Sequence, residues 1–326
     1  MTTLGPYSTT DDVAACYPEA AAAMKHGSVI VTGSNTGMGK QTAVALAKLR
    51  ATVILACRNM EKGSAARLQV QAQTNNPNVH FIQLDLESLK SVSTFVKEFN
   101  RRSDEEKWPP LTHLICNAGL FPTPECSYTQ GRMETTFAVS HLGHFGLTTL
   151  LLRNLRRVES RVIMVSSGSH QGPLATEEMT SRREVLEKIV YPDRNKYSRF
   201  KCYGSSKLCN AIFANALYER EKENNIHCAS LHPGTLIATD IARGNVLANF
   251  VFKYIISWFT KTVDQACSTT LACCLMPAEQ LKGQYFEDCQ LKKPGDMVYN
   301  TKAGDILWEV SYDLLVTHSP FVAFSF

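Results

Sequence analysis

The sequence predicts an α/β fold: one doubly wound domain whose mostly parallel, seven-stranded sheet carries helices on both faces. Three observations predict it. Short apolar runs alternate with longer segments of helical spacing along the chain. The first run stops at a glycine-rich turn that leads straight into a helix. The 326 residues suffice to bury the core of one large α/β domain.

Residues 1–26 mix Thr, Asp and Pro with an alanine-rich stretch, and read as an N-terminal extension with a short helix ahead of the domain, 27–326. The first strand, 28–32, is a continuous apolar run of the kind buried on both faces. It ends at Gly33, and Ser34, Asn35, Thr36, Gly37, Met38 and Gly39 lead into a helix at 40–49. Without a Cβ the backbone can take positive φ and approach a pyrophosphate, whose charge then meets the helix N-terminus. The turn is therefore the expected phosphate cradle of a Rossmann-type domain, with an ordinary tight turn as the alternative.

The second strand, 52–57, ends at Arg58. At that place an acid suits a ribose 2′-hydroxyl and an arginine suits a 2′-phosphate. Arg58 thus predicts NADP(H) over NAD(H), against a plain surface arginine. The third strand, 79–84, is closed by Asp85 and Leu86; Asp85 either accepts from the adenine amino group or caps the helix near Ser88. The fourth strand, 112–116, ends in Asn117, Ala118 and Gly119, small residues that let the backbone pass close to the cofactor ribose or simply turn. A helix at 137–152 holds His141 and His144, but no nearby Cys, Asp or Glu completes a metal site, so no metal is expected.

The fifth strand, 161–165, runs into Ser166 and Ser167, and a polar insert, 171–201, separates it from a helix carrying Tyr203 and Lys207 and ending near Glu223. At a spacing of four the phenol and the amine share a helix face. A neighbouring cation favours the ionised phenol, so Lys207 is expected to move Tyr203 toward acid/base work near neutral pH. After the sixth strand, 226–231, comes the loop His232-Pro233-Gly234-Thr235. Ligands of open α/β sheets sit at the carboxyl ends of strands, which brings the turns after the first, fourth, fifth and sixth strands around one crevice.

Bulk features narrow the setting. The 34 basic and 30 acidic residues give +4 with no block of like charge, so nucleic acid is not the expected partner. Eleven scattered cysteines without a Cys-x-x-Cys pair read as reduced thiols. No secretory pattern opens the chain and no apolar run reaches membrane-spanning length, so a cytoplasmic protein is expected.

Thr32-Gly-x-x-x-Gly-x-Gly39, Asn117-Ala-Gly119, the paired serines, Tyr203-x-x-x-Lys207 and Pro233-Gly234 occur in the order found in the short-chain dehydrogenase/reductase superfamily. The chain resembles that superfamily over about 28–315. Ala56-Cys-Arg58, His141-Leu-Gly-His-Phe145, Val165-Ser-Ser-Gly-Ser-His170 and Ser206-Lys-Leu-Cys-Asn210 resemble its retinol dehydrogenase and WW-domain oxidoreductase group. No tryptophan pair precedes the domain, so no WW module is expected there. The resemblance implies Tyr203 as general acid/base, Lys207 as the group that lowers its pKa and binds the nicotinamide ribose, and Ser167 as a donor to the substrate carbonyl. It also implies an asparagine before His141, where this chain has Ser140; a hydroxyl can hold a relay water but lacks the amide's paired donor and acceptor.

Residues 246–259 are too short to span a bilayer but apolar enough to line a lipophilic pocket. The segment 236–262 therefore reads as a substrate lid, with a core or homodimer-interface helix as one alternative and peripheral membrane contact, flanked by Lys253 and Lys261, as another. The expected activity is hydride transfer between NADP(H) and a lipophilic alcohol or carbonyl. A weakly catalytic NADP(H)-binding scaffold or redox sensor, and a double-bond reductase resembling protochlorophyllide reductase, are the competing readings.

Overall fold

The first apolar run becomes β1 (Ser28–Thr32), every residue of which is buried, and β2 (Thr52–Cys57) is buried throughout in the same way. This computed structural model describes residues 3–172, 179–234 and 261–318. The other strands are β3 (Val79–Gln83), β4 (Leu111–Cys116), β5 (Ser160–Val165), β6 (Ile226–His232), β7 (Gln284–Glu287) and β8 (Gln290–Leu291). Their order is β3-β2-β1-β4-β5-β6-β7-β8. All neighbours pair in parallel except β7 and β8.

The seven parallel strands are as expected, and an eighth of two residues is added at the edge. Asp288 and Cys289, both at positive φ, make the two-residue turn that folds β8 back on β7. So short a strand carries no periodicity from which to read it.

Among the described residues the α-helices of six residues or more are α1 (Thr10–Cys16), α2 (Pro18–Ala23), α3 (Gly37–Lys48), α4 (Met60–Thr74), α5 (Leu89–Glu105), α6 (Gly143–Leu155), α7 (Arg199–Glu221), α8 (Val263–Leu275) and α9 (Thr301–His318). One apolar core lies between the sheet and α3, α4 and α8; the other lies between the sheet and α5, α6 and α7. α9 adds an outer layer over α6 and α7, where Trp308 packs on Phe145 and Phe213 at ring distances of 5.1 and 5.9 Å. The N-terminal α1 docks on the start of α8, with Thr10 donating to Asp264 from both its backbone N and its hydroxyl, at 3.1 and 2.6 Å. Strand order reverses between β1 and β4, which opens the crevice at the carboxyl ends of those strands.

Candidate active site

The β1–α3 turn closes on the β4 turn through Thr32. Its hydroxyl accepts from the backbone N of Asn117 and of Ala118, each at 2.9 Å, and its carbonyl accepts from Asn117 Nδ2 at 2.9 Å. Gly33 and Gly37 sit at φ of +66° and +57°, where side chains are strained. A Cβ on Gly39 would lie 2.5 Å from both Asn117 Nδ2 and the Gly33 carbonyl. Thr36 precedes α3 without a side-chain cap, so the first N–H groups of that helix are left to a ligand or solvent.

Beside this turn a cavity of about 310 Å³ is lined by Gly33, Asn35, Arg58, Asp85, Leu86, Ala118 and Gly119, all predicted, together with Ala56, Cys57, Asn59, Lys62, Leu84, Leu120 and Val139. Ser34 instead accepts from Ala56 N and so ties the turn to β2. Arg58 projects from the rim with Glu87 3.8 Å away. Asp85 lines the cavity while accepting from Glu87 N at 3.1 Å; the cap of α5 is Ser88, not Asp85. Asn59 and Lys62 escaped the sequence reading, although Asn59 caps α4 and the lysine follows one turn from Arg58. The open cradle at Gly37, the uncapped α3 and the exposed guanidinium fit the pyrophosphate and adenosine end of a nicotinamide dinucleotide.

At the far end of the cleft stand the residues predicted to be reactive. Lys207 is buried, donates to the Val165 carbonyl at 3.0 Å and comes within 3.0 Å of the place a Gly119 Cβ would take. Burial brings its pKa down to about 8. Tyr203 lies one turn earlier on α7, its ring centroid 5.7 Å from Lys207 Nζ. Burial raises the phenol's pKa and a hydrogen bond to Ser167 works against that rise. The expectation that the Tyr203 pKa is brought down is therefore corrected: desolvation dominates and raises it, and one N–H of the Lys207 ammonium is turned to the Val165 carbonyl.

The serine choice follows from partners. Ser166 is buried and its hydroxyl donates to the Lys207 carbonyl at 2.7 Å, whereas Ser167 is the one bonded to Tyr203. His170, part of a quoted motif but given no role, fixes Ser167. Its Nδ1 donates to the Ser167 carbonyl at 2.6 Å and its Nε2 accepts from Gly295 N at 3.1 Å.

Ser140 is fully buried in the π-helical stretch Ala138–Leu142, which runs without a break into α6. Its hydroxyl accepts from Leu120 N at 3.4 Å and its carbonyl from His144 Nδ1 at 2.9 Å. With Nδ1 donating, His144 Nε2 accepts from the Thr32 hydroxyl at 2.9 Å, and burial holds this imidazole neutral with its pKa down at about 4. His141 pairs instead with Ser311 of α9 at 2.9 Å. The two histidines thus brace the site through hydrogen bonds of their own.

Pro233 and Gly234 follow β6, and Gly234 at φ +110° packs on the Lys261 side chain. Lys261, which the alternative of peripheral membrane contact placed as a flank of the aromatic stretch, is buried and ion-paired with Asp288. Thr235, the lid 236–262 as far as 260, its aromatic stretch 246–259 and the tail 321–326 lie outside the described residues. No described helix is long and apolar enough to cross a membrane.

Residues 27–179 match the short chain dehydrogenase family. Retinol dehydrogenase 12 of Mus musculus is 36% identical over 292 residues, which cover 88% of this chain and 85% of that protein. WW domain-containing oxidoreductase of Homo sapiens is 36% identical over 293 residues, covering 88% and 67% respectively. Among solved structures, an uncharacterized protein from Mycobacterium Paratuberculosis superposes with a TM-score of 0.66 at 25% identity, over 89% of this chain and 93% of that one. NADPH-bound carbonyl reductase from chicken fatty liver superposes at 0.58 with 19% identity, over 81% and 98%, a likeness of fold alone.

Proposed function

The chain belongs to the short-chain dehydrogenase family of oxidoreductases, and from that premise we propose that it is an NADP(H)-dependent enzyme interconverting a lipophilic alcohol and its carbonyl compound. The observation that carries the reading is the contact of Tyr203 with Ser167 beside buried Lys207, next to a cleft that suits the pyrophosphate and adenosine end of a dinucleotide. Arg58 supports the phosphorylated cofactor. When bound, the nicotinamide exchanges hydride with the substrate carbon. The protein's share is the oxygen. Ser167 Oγ donates to the carbonyl oxygen and stabilises the negative charge that develops there, while the Tyr203 hydroxyl delivers the proton in reduction and removes it in oxidation. A phenol whose pKa burial holds up is protonated at neutral pH, which suits it to deliver that proton. Lys207 holds the adjoining polar floor, where its ammonium faces Gly119.

The test is NADPH oxidation against retinal, steroid ketones, aliphatic aldehydes and quinones, with NADPH binding followed by fluorescence and Tyr203→Phe as control. Turnover that disappears in the variant while binding persists supports the reading. Equal turnover in both proteins would refute it.

One observation favours a second reading, a cofactor-binding scaffold or sensor with weak catalysis. Both Ser140 oxygens are already engaged, by Leu120 N and by His144, in the place where the family's asparagine would hold a relay water. Tight NADPH binding without turnover on the whole panel would select it.

A further inference from the structure

The mouth of the cleft carries an aromatic rim with a cation set on it. Phe121 and Phe200 are 52% and 61% exposed, and their rings meet edge-on at 5.9 Å. Phe121 also lies 5.1 Å from the Tyr203 ring, so the rim is continuous with the reactive phenol. The Arg199 guanidinium stands over both rings, 5.8 Å from the centre of Phe121 and 4.9 Å from that of Phe200. It makes no ion pair with any acid among the described residues, and the first turn of α7 contains no acidic residue. A cation at that end of a helix opposes the helix dipole, so the charge does not serve the stability of α7.

A guanidinium whose face is stacked on rings keeps its N–H edges free, and those edges match a carboxylate in a two-point geometry. Arg199 and Tyr203 are one turn apart on the same face of α7, about 6 Å along the axis. From this arrangement, and resting on the carbonyl-reductase reading, the geometry points to a substrate class: a flat apolar aldehyde or ketone that carries a carboxylate roughly one aromatic ring away from its carbonyl. Phe121 and Phe200 form the apolar wall, Arg199 binds the acid and so presents the carbonyl to Tyr203 and Ser167.

The test compares 4-carboxybenzaldehyde with 4-methylbenzaldehyde, which differ in the acid alone. Turnover with NADPH is measured on the wild-type chain, Arg199→Met and Arg199→Glu, and binding of each aldehyde to the NADPH complex of Tyr203→Phe by calorimetry. The expected kcat/KM ratio of acid to neutral aldehyde is about tenfold in the wild type, close to one in Arg199→Met, which keeps an apolar stem over the rings, and below one in Arg199→Glu. A wild-type ratio near one, or a preference that survives in Arg199→Met, overturns the assignment. Turnover of both aldehydes without acid preference removes this inference and leaves the reductase reading in place. Arg199-dependent preference in binding with no turnover removes the reductase reading and leaves the acid site.

Discussion

At the turns after β1 and β4 the backbone itself is the wall of the cleft. A Cβ on Gly39 would collide with Asn117 and with the Gly33 carbonyl, and one on Gly33 would come within 3.0 Å of Ala118. Across the cleft, where β5 meets α7, the wall is made of side chains: the Tyr203 phenol, the Ser167 hydroxyl and the Lys207 ammonium, held by carbonyls and by His170. In the proposed function the first wall binds by leaving room and the second acts by filling it. Substitutions should therefore separate the two, with affinity lost on one side and rate on the other.

Tyr203→Phe should give the largest effect. Removing a general acid/base group typically costs about 10²- to 10⁴-fold, and the loss should fall on kcat with NADPH affinity within a few-fold of wild type. Steady-state kinetics with fluorescence titration checks this. A variant that loses NADPH binding instead would show that the phenol belongs to the binding wall.

Gly39→Ala should produce the reverse split. Its methyl meets backbone that cannot swing aside, so we expect about 1–3 kcal/mol of lost stability and a loss of NADPH affinity of tenfold or more. Gly37→Ala is the control for stability without nucleotide: its Cβ faces open space in the free protein, so there only the positive φ penalises it, by about 1–2 kcal/mol, while with NADPH its methyl enters the proposed cradle. Thermal unfolding with and without NADPH measures both. Equal damage from the two would mean that strain, not close approach, explains the glycines.

The contrast between the walls also explains what the sequence disclosed. The glycine turn, the small residues 117–119 and the strand-end Arg58 were legible because a wall built by omission demands particular residue types at particular spacings. Tyr203 and Lys207 were legible because a helix fixes what a spacing of four means. Hidden were the facts that depend on packing between distant segments. The role of His170 requires Gly295, which is 125 residues away. The place of α9 over α6 and α7 arises from Trp308 and Ser311 meeting rings and a histidine that no periodicity connects to them. The net direction of the Tyr203 shift was misjudged because it depends on burial, which the motif does not write.

Arg58→Ala should act on the binding wall alone and less severely. A charge-assisted contact to phosphate is worth roughly 1.5–3 kcal/mol, so NADPH affinity should fall about 10- to 100-fold while NADH affinity changes little. Titration of both nucleotides reads the difference. If the two affinities fall together, Arg58 serves the shape of the rim, through Glu87, more than the 2′-phosphate.

The smallest expected effect bears on why the second wall is costly to hold. Lys207 has its pKa lowered to about 8 by burial, against an ordinary value near 10.5. Between those values the unfolded chain binds more protons at this residue than the folded chain, so folding stability rises with pH across the window. Below about pH 8 the lysine is charged in both states and the full penalty of burying it is present; above about 10.5 it is neutral in both and the penalty vanishes. Lys207→Met removes the charge but also the bond to the Val165 carbonyl, which keeps Asn210 Nδ2 at 3.4 Å. The net expectation is a variant about 1 kcal/mol more stable than wild type at pH 7, with an advantage that shrinks toward pH 10, and without turnover. Urea unfolding of both proteins across that range decides it. A variant less stable at pH 7 would make the lysine a structural tie whose hydrogen bond outweighs its desolvation; the predicted gain would instead mark the second wall as one that trades stability for a buried charge one helical turn from the Tyr203 phenol.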